Sequence, residues 1–450
     1  MRLTILSTLV ACAAFAQSSD SVIFRAVMLP ENEVPASRIE ARATAQLRAR
    51  IVRDASGQIV SGSLDFTILH TFATAQTLVG LHIHRGVAGV NGPVVIDTGI
   101  SSTASVIAEP GRNGFARQAQ IRPTDTVALL ALRELVEDPA SFYVNLHTPE
   151  FPGGVIRGQV DATLVSQFVT ALSPANEIPA ISGSAASGLC AIQVIRGFDG
   201  QGKFSYGEVL FEAAYDFKEQ VTVNGFHIHQ GGPDMNAPVV INTGISGAAP
   251  LLTPEGGSGA ASYTVEFGPT LANEILLGDL SRFPDLFYVN MHTTAFPGGL
   301  IRGQLREAET RRFDMTMLPS NEVPPVTGLA ATAVSNVQAF AARDATGSIN
   351  AALVVFDVNF RFPVAAVEFT GLHIHDGEAG ANGPVTIDSG VSARASVTST
   401  TGQGNITRRV RVSGGPALET VTSMFVRPEK HYLNLHTAVN PGGAVRAQLK

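Results

Sequence analysis

Nine of the eleven histidines in this 450-residue chain fall in two short patterns, each present three times. The first is Gly-x-His-Ile-His, with His82 and His84, then His227 and His229, then His373 and His375. The second, Tyr-x-Asn-x-His-Thr, supplies His147, His292 and His436. Side chains alternate faces along a strand, so both imidazoles of His-x-His lie on one face, about 6–7 Å apart at the backbone, and can converge on one ion. Leu81 and Ile83 then turn to the opposite, apolar face. Tyr143, Asn145 and His147 likewise share one face, and Val144 and Leu146 the other. If the two strands are neighbours, His82, His84 and His147 form a three-nitrogen site with a vacant position. Neutral imidazoles suit Zn²⁺ or copper and suit Ca²⁺ or Mg²⁺ poorly, so copper or zinc is expected, one ion per repeat. A lone strand histidine is more often a structural hydrogen-bonding group. Ligation is favoured here because all three copies keep both the pair and the distant histidine, with separations of 65, 65 and 63 residues.

The elements that must position these residues repeat with them. Leu29-Pro30-Glu31-Asn32-Glu33-Val34-Pro35 returns around Asn176-Glu177 and Asn321-Glu322, and all motifs recur at about 145 residues. A period this long means whole domains in tandem. The expected domains are 20–162, 165–307 and 311–450, joined by linkers so short that they must pack closely. Within a repeat the main period is two: Ala45, Leu47, Ala49 and Ile51 alternate with Gln46, Arg48 and Arg50. Asp54-Ala55-Ser56-Gly57 then reverses the chain into a second alternating strand. Helical spacing over Thr126–Glu137 and Leu271–Leu280 predicts a short helix before each Tyr-x-Asn strand. The fold class is all-β, with three Greek-key sandwiches or barrels, each carrying a short helical insertion.

Composition excludes several function classes. The net charge of −7 is spread out, and no Lys/Arg cluster interleaved with aromatics exists to bind nucleic acid. After the first residues, no segment has the length to span a bilayer. Residues 1–16, with Arg2, an apolar run and Ala14-Phe15-Ala16, read as a secretory signal. Localisation is then secreted, periplasmic or cell-surface. Leu9-Val10-Ala11-Cys12 offers the alternative of a lipid-anchored N-terminus at Cys12. Cleavage after Ala16 leaves Cys190 alone, so no intrachain disulfide can form.

Other features carry less. Arg157, Arg302 and Arg446 follow each Pro-Gly-Gly and either steer an anion to the metal or pair with a carboxylate. Asn32-Glu33 and its copies read as caps of the first strand, with a ligand contact as the alternative. The loop Gly86 to Pro93 reads as a turn over the histidine face. His70 and His431 lack counterparts and read as ordinary hydrogen-bonding residues. Asn405-Ile406-Thr407 is a glycosylation sequon, relevant only in a eukaryotic host. No repeated nucleophile, general base or carboxylate pair stands near the histidines, which argues against hydrolysis.

With HIHxGxxGxNGPV, YVNLHTxxFPGGxIRGQ and LPxNEVP together, each repeat resembles a chordin-type (CHRD) domain, and the likeness covers nearly the whole mature chain. It implies an extracellular protein with an unidentified extracellular or cell-surface partner. The repeats are also distantly similar to Cu/Zn superoxide dismutase. That likeness would make the three histidines copper ligands and Arg157, Arg302 and Arg446 anion guides. Yet the interval holding the bridging histidine and zinc ligands in those enzymes has no histidine here. Asp97 and Asp388 could substitute, but the second repeat has Asn242. Two functions follow: a non-catalytic extracellular binding module with one mononuclear three-histidine site per domain, or a copper-dependent dismutase-like enzyme. The first is preferred.

Overall fold

The computed structural model describes residues 18–344, 346–364 and 366–450. The expected signal segment 1–16 and Cys12 lie outside the described residues. The first repeat contains β1 (Ser18–Met28), β2 (Ala41–Arg53), β3 (Ile59–Phe72), β4 (Gln76–Leu78), β5 (Gly80–Arg85), β6 (Val94–Asp97), β7 (Val106–Ala108), β8 (Gly111–Ile121), α1 (Thr126–Glu137), β9 (Phe142–His147) and β10 (Ile156–Gln159). One sheet runs β1-β2-β3-β8 and the other β10-β9-β5-β6, while β4 and β7 form a small ribbon. β3 and β8 are neighbours in one sheet, and β5 and β6, which lie between them in sequence, are neighbours in the other. That crossing makes the sandwich a Greek key.

Alternation fixes which side of each strand is dry. Ala43, Ala45, Leu47, Ala49 and Ile51 of β2 are all buried, and they meet Leu81, Ile83, Val144 and Leu146 from the other sheet in one core. Full burial of a Leu, Ile or Phe side chain is worth roughly 1.5–3 kcal/mol, so this face holds the two sheets in register. α1 starts at Asp125, whose side chain accepts from the Ala128 N–H, and it buries Leu132 and Leu135 in the same core. Helices occupy Leu271–Arg282 and Gly415–Met424 in the other repeats.

The three sandwiches are more tightly joined than short linkers alone require. β1 pairs with the first strand of the second repeat, Asp161–Leu172, at Phe24–Ala162 and Arg25–Asp161, which fuses two four-stranded sheets into one of eight. The first sheet of the third repeat packs on this one: Ala342, Ala351 and Leu353 meet Val169, Leu189 and Ala191. Ion pairs cross each junction: Arg25 with Glu208, Arg409 with Glu212 at 2.7 Å, and Arg50 with Asp357 at 3.5 Å. All of these contacts are made by the first sheets, and the histidines stand on the second. Cys190 is buried and free.

Candidate metal centre

β5 and β9 are antiparallel neighbours, with Gly80 opposite His147, His82 opposite Asn145 and His84 opposite Tyr143. The three imidazoles therefore rise from adjacent positions on the face away from the core. Ring centroids are 4.8–5.7 Å apart in the first repeat, 5.1–5.8 Å in the second and 5.0–5.8 Å in the third. One nitrogen from each ring lies within 4.8 Å of the other two in all three repeats. Donors on one ion at about 2.0–2.1 Å can be no more than about 4.2 Å apart, so a pair at the limit closes by about 0.6 Å on ligation. Glycine precedes the pair for a steric reason. A Cβ on Gly80 would stand 2.8 Å from His82 Cε1 and 3.0 Å from His147 Cδ2, and Gly225 and Gly371 are confined alike.

Hydrogen bonds decide which nitrogens face inward. His84 Nδ1 lies 2.9 Å from the Gly92 carbonyl and His147 Nδ1 lies 3.0 Å from the Pro152 carbonyl. A carbonyl only accepts, so each Nδ1 carries the proton and each Nε2 presents a lone pair. His229, His292, His375 and His436 make the same bonds to Ala237, Pro297, Gly383 and Pro441. His82 and His373 are reversed: Nε2 faces Asp97 or Asp388 at 3.5 Å, leaving Nδ1. The second repeat has Asn242 opposite His227. In every triad the buried ring nitrogens without a partner among the described residues are Nδ1 of the first histidine and Nε2 of the other two.

Burial lowers the proton affinity of all nine imidazoles. His147, His227 and His373 fall to about 4, through burial first and neighbouring histidines second. The others shift the same way, again mainly by burial. At neutral pH the rings are uncharged, the state a metal requires. Asp97 stands behind the His82 ring as an outer partner, and its side chain is 61% exposed.

Beside each triad is a second repeated cluster. Tyr143 stacks on His84 with ring centroids 4.8 Å apart and planes 11° apart, and the Arg157 guanidinium lies 4.5 Å from the tyrosine centroid. β5 and β10 flank β9 on opposite sides, so the tyrosine ring separates imidazole from guanidinium. In the other repeats the guanidinium is closer, 3.4 Å for Arg302 over Tyr288 and 3.3 Å for Arg446 over Tyr432. These arginines are buried, at 3%, 1% and 2% exposure, and donate into the loop that follows the histidine pair. Arg157 bonds Asn91 Oδ1 at 2.9 Å and the Asn32 carbonyl at 2.6 Å. Arg302 reaches the Gly232 and Met235 carbonyls, and Arg446 those of Glu378 and Ala381. The sequence left two roles open, anion guide and carboxylate partner, and a carboxylate does stand within electrostatic reach of each guanidinium: Glu33 of Arg157, Glu177 of Arg302 and Glu322 of Arg446. The geometry has it fastening a roof loop.

Glu33 departs from the strand cap expected of Asn32-Glu33. Asn32 does cap, its amide donating to the Arg157 carbonyl at 3.1 Å, but Glu33 turns inward to 5% exposure beside Asn145. Glu177 and Glu322 accept from Asn290 and Asn434 at 3.3 Å. Burial raises all three carboxyls to about 7. Glu33 Oε1 and Asn145 Oδ1 both lack a donor among the described residues, as do their copies, and a neutral acid supplies one. Gly154, at φ +131°, makes room, since a Cβ there would lie 2.6 Å from Glu33 Oε1 and 2.5 Å from the Asn145 amide. The invariance of Glu, Asn and the second Gly of Pro-Gly-Gly across the copies was the available signal. His70, expected to be a hydrogen-bonding residue, makes no hydrogen bond among the described residues and packs against Phe72 and Phe115, at a position where the other repeats have Tyr215 and Phe360. His431 is buried, with Asp376 3.6 Å away.

Neither the curated proteins nor the solved structures contain a match to this chain. The family comparison is informative. The CHRD domain matches three times in tandem, over residues 24–160, 168–305 and 313–449, and each span holds one complete histidine triad with its tyrosine, arginine and buried glutamate. By that threefold match, which takes in nearly the whole sequence, the chain belongs to the CHRD domain family.

Proposed function

We propose that this is a secreted, non-catalytic binding protein in which each repeat holds one copper or zinc ion on three histidines. The ion stabilises the loops over the sheet, and those loops contact an extracellular or cell-surface partner. The observation carrying the reading is the inward set of three nitrogens in each repeat that have no partner among the described residues, with the outer nitrogens of two rings per repeat, six in all, already tied to carbonyls. Such outer bonds orient ligands and fix tautomers at metal sites. A fourth position stays open, which suits a water or a partner's side chain. Against a dismutase-like reaction stands the burial of Arg157, Arg302 and Arg446, which face a roof loop rather than the approach to the metal. Secretion rests on the sequence of residues 1–16.

Metal analysis of full-length protein purified without chelator tests the proposal. It expects close to three ions per chain after copper or zinc loading, and none in a variant with His84, His229 and His375 all changed to Ala. Fewer than one ion per chain in the loaded wild type sinks it. Superoxide consumption by the copper-loaded wild type that this variant lacks would replace the non-catalytic reading with the enzymatic one.

A further inference from the structure

The outer faces of the three first sheets, remote in sequence from the histidine motifs, meet around a cavity of about 380 Å³. Its wall takes one equivalent position from each repeat: Arg48, Gln193 and Gln338, each 145 residues from the last. Each sits in the same row of its sheet, on the second strand, facing away from its own core. Arg409, Asp357 and the exposed Glu307 are the other charged residues of the lining.

The charges on this wall are almost all committed. Asp65 is opposite Arg48 in register, yet its carboxylate takes Arg50 Nη2 at 2.5 Å and the Gln118 amide at 2.6 Å. Asp357 accepts from Asn405 at 2.6 Å and lies 3.5 Å from Arg50 Nη1. Arg409 donates to Glu212 at 2.7 Å and to Gln167 at 3.4 Å. Arg48 remains, a half-buried guanidinium on the cavity wall, with Asp357 and Asp65 within electrostatic reach but no hydrogen bond or ion pair among the described residues. Burial lowers it to about 10, so it is charged at neutral pH. Its five donors, turned to the cavity in a planar fork, match an oxyanion.

We propose that this cavity binds a sulfate or phosphate group on the Arg48 guanidinium, with the side-chain amides of Gln193 and Gln338 as further donors. Each of those amides has two N–H groups, and only one is used, toward Gln167 Oε1 at 3.4 Å and Asn336 Oδ1 at 2.6 Å. The site exists only when all three repeats are assembled, so the anion acts as a pin between them.

The test uses the full chain in chelator, so that the histidine sites hold no metal, at fixed ionic strength. Sulfate or phosphate, but not chloride, raises the Tm by at least about 2 °C, saturating at millimolar concentration, which separates binding from the unsaturable effect of sulfate on protein surfaces. Arg48→Met abolishes the response. Gln193→Glu supplies an internal carboxylate, so it raises the Tm in anion-free buffer and also abolishes the response. A wild-type response that fails to saturate or that chloride reproduces overturns the proposal. So does an undiminished response in either variant, and Gln193→Glu decides the matter if Arg48→Met does not fold.

Discussion

The histidine face and the junction between repeats are built from the same strands copied three times, and they treat the copies in opposite ways. On the histidine face the triad, the stacked tyrosine, the buried arginine and the buried glutamate are constant. At the junction, equivalent positions diverge, with Arg48 matched by Gln193 and Gln338, and Arg50 by Ile195 and Phe340. Each histidine face is complete within one repeat, so each copy meets the same constraints. The junction is a single place where three copies play three different parts, and repetition there would set like charges against one another.

If that contrast is right, removing the roof arginine has one large, equal effect in all repeats. Arg157→Ala, Arg302→Ala and Arg446→Ala should each cost about 3 kcal/mol, since each strands buried loop carbonyls and uncovers a tyrosine. Lysine should not rescue them, because it lacks the planar fork. Chemical denaturation gives the energies, and hydrogen exchange should localise the loss to the loop after the histidine pair. Costs differing by more than about 1 kcal/mol among the three would break the claim that each face is self-contained.

Junction substitutions should be unequal. Asp357→Asn withdraws a partner from the Arg50 guanidinium and should cost about 2 kcal/mol. The equivalent residue in the first repeat is the exposed Thr67, and Thr67→Val should fall within about 0.5 kcal/mol of wild type. Equal effects at these two positions, measured by the same denaturation, would show that the junction is not the asymmetric assembly described.

The same contrast explains what could be read from the sequence. His82, His84 and His147 were legible because strand alternation fixes faces and the copies agree on what matters. The arginines were visible as repeated residues, but their task depends on burial beneath a loop, which spacing does not encode. Glu33 belongs to a motif far in sequence from β9, so its place beside Asn145 appears only once the sheets are packed. Arg48 left no repeated signal at all. Nor did the fusion of two sheets into one, which rests on the few residues that pair Phe24–Arg25 with Asp161–Ala162.

Acidity separates two groups within the histidine face. His147, His227 and His373 lie at about 4, below the ordinary value of 6.5, so the folded state binds fewer protons than the unfolded one. Their contribution to stability is full above pH 6.5 and is lost as pH falls toward 4. Glu33, Glu177 and Glu322 lie at about 7, above the ordinary 4.5, so theirs is full below pH 4.5 and is lost as pH rises to 7. Changing all three glutamates to Gln should therefore raise the Tm of metal-free protein at pH 8 and leave it nearly unchanged at pH 4.5. A gain of the same size at both pH values would mean that the acids are ordinary carboxylates.

The smallest effect tests the one place where the histidine faces are not identical. Asp97 and Asp388 stand 3.5 Å from Nε2 of His82 and His373, while His227 faces the neutral Asn242. A carboxylate there holds the proton on Nε2 and makes Nδ1 a stronger donor to a metal. Both aspartates are about 60% exposed, so water and salt weaken the effect, and about threefold in affinity is expected rather than the larger values of enclosed sites. Competition titration against a chromophoric chelator should then resolve two tighter ions and one weaker. Asp97→Asn should move one tight site to the weak class, Asn242→Asp should move the weak site to the tight class, and high salt should narrow the gap. Three indistinguishable sites in low salt would mean that the ring orientation is set by the backbone carbonyls and packing alone, with the carboxylates as bystanders.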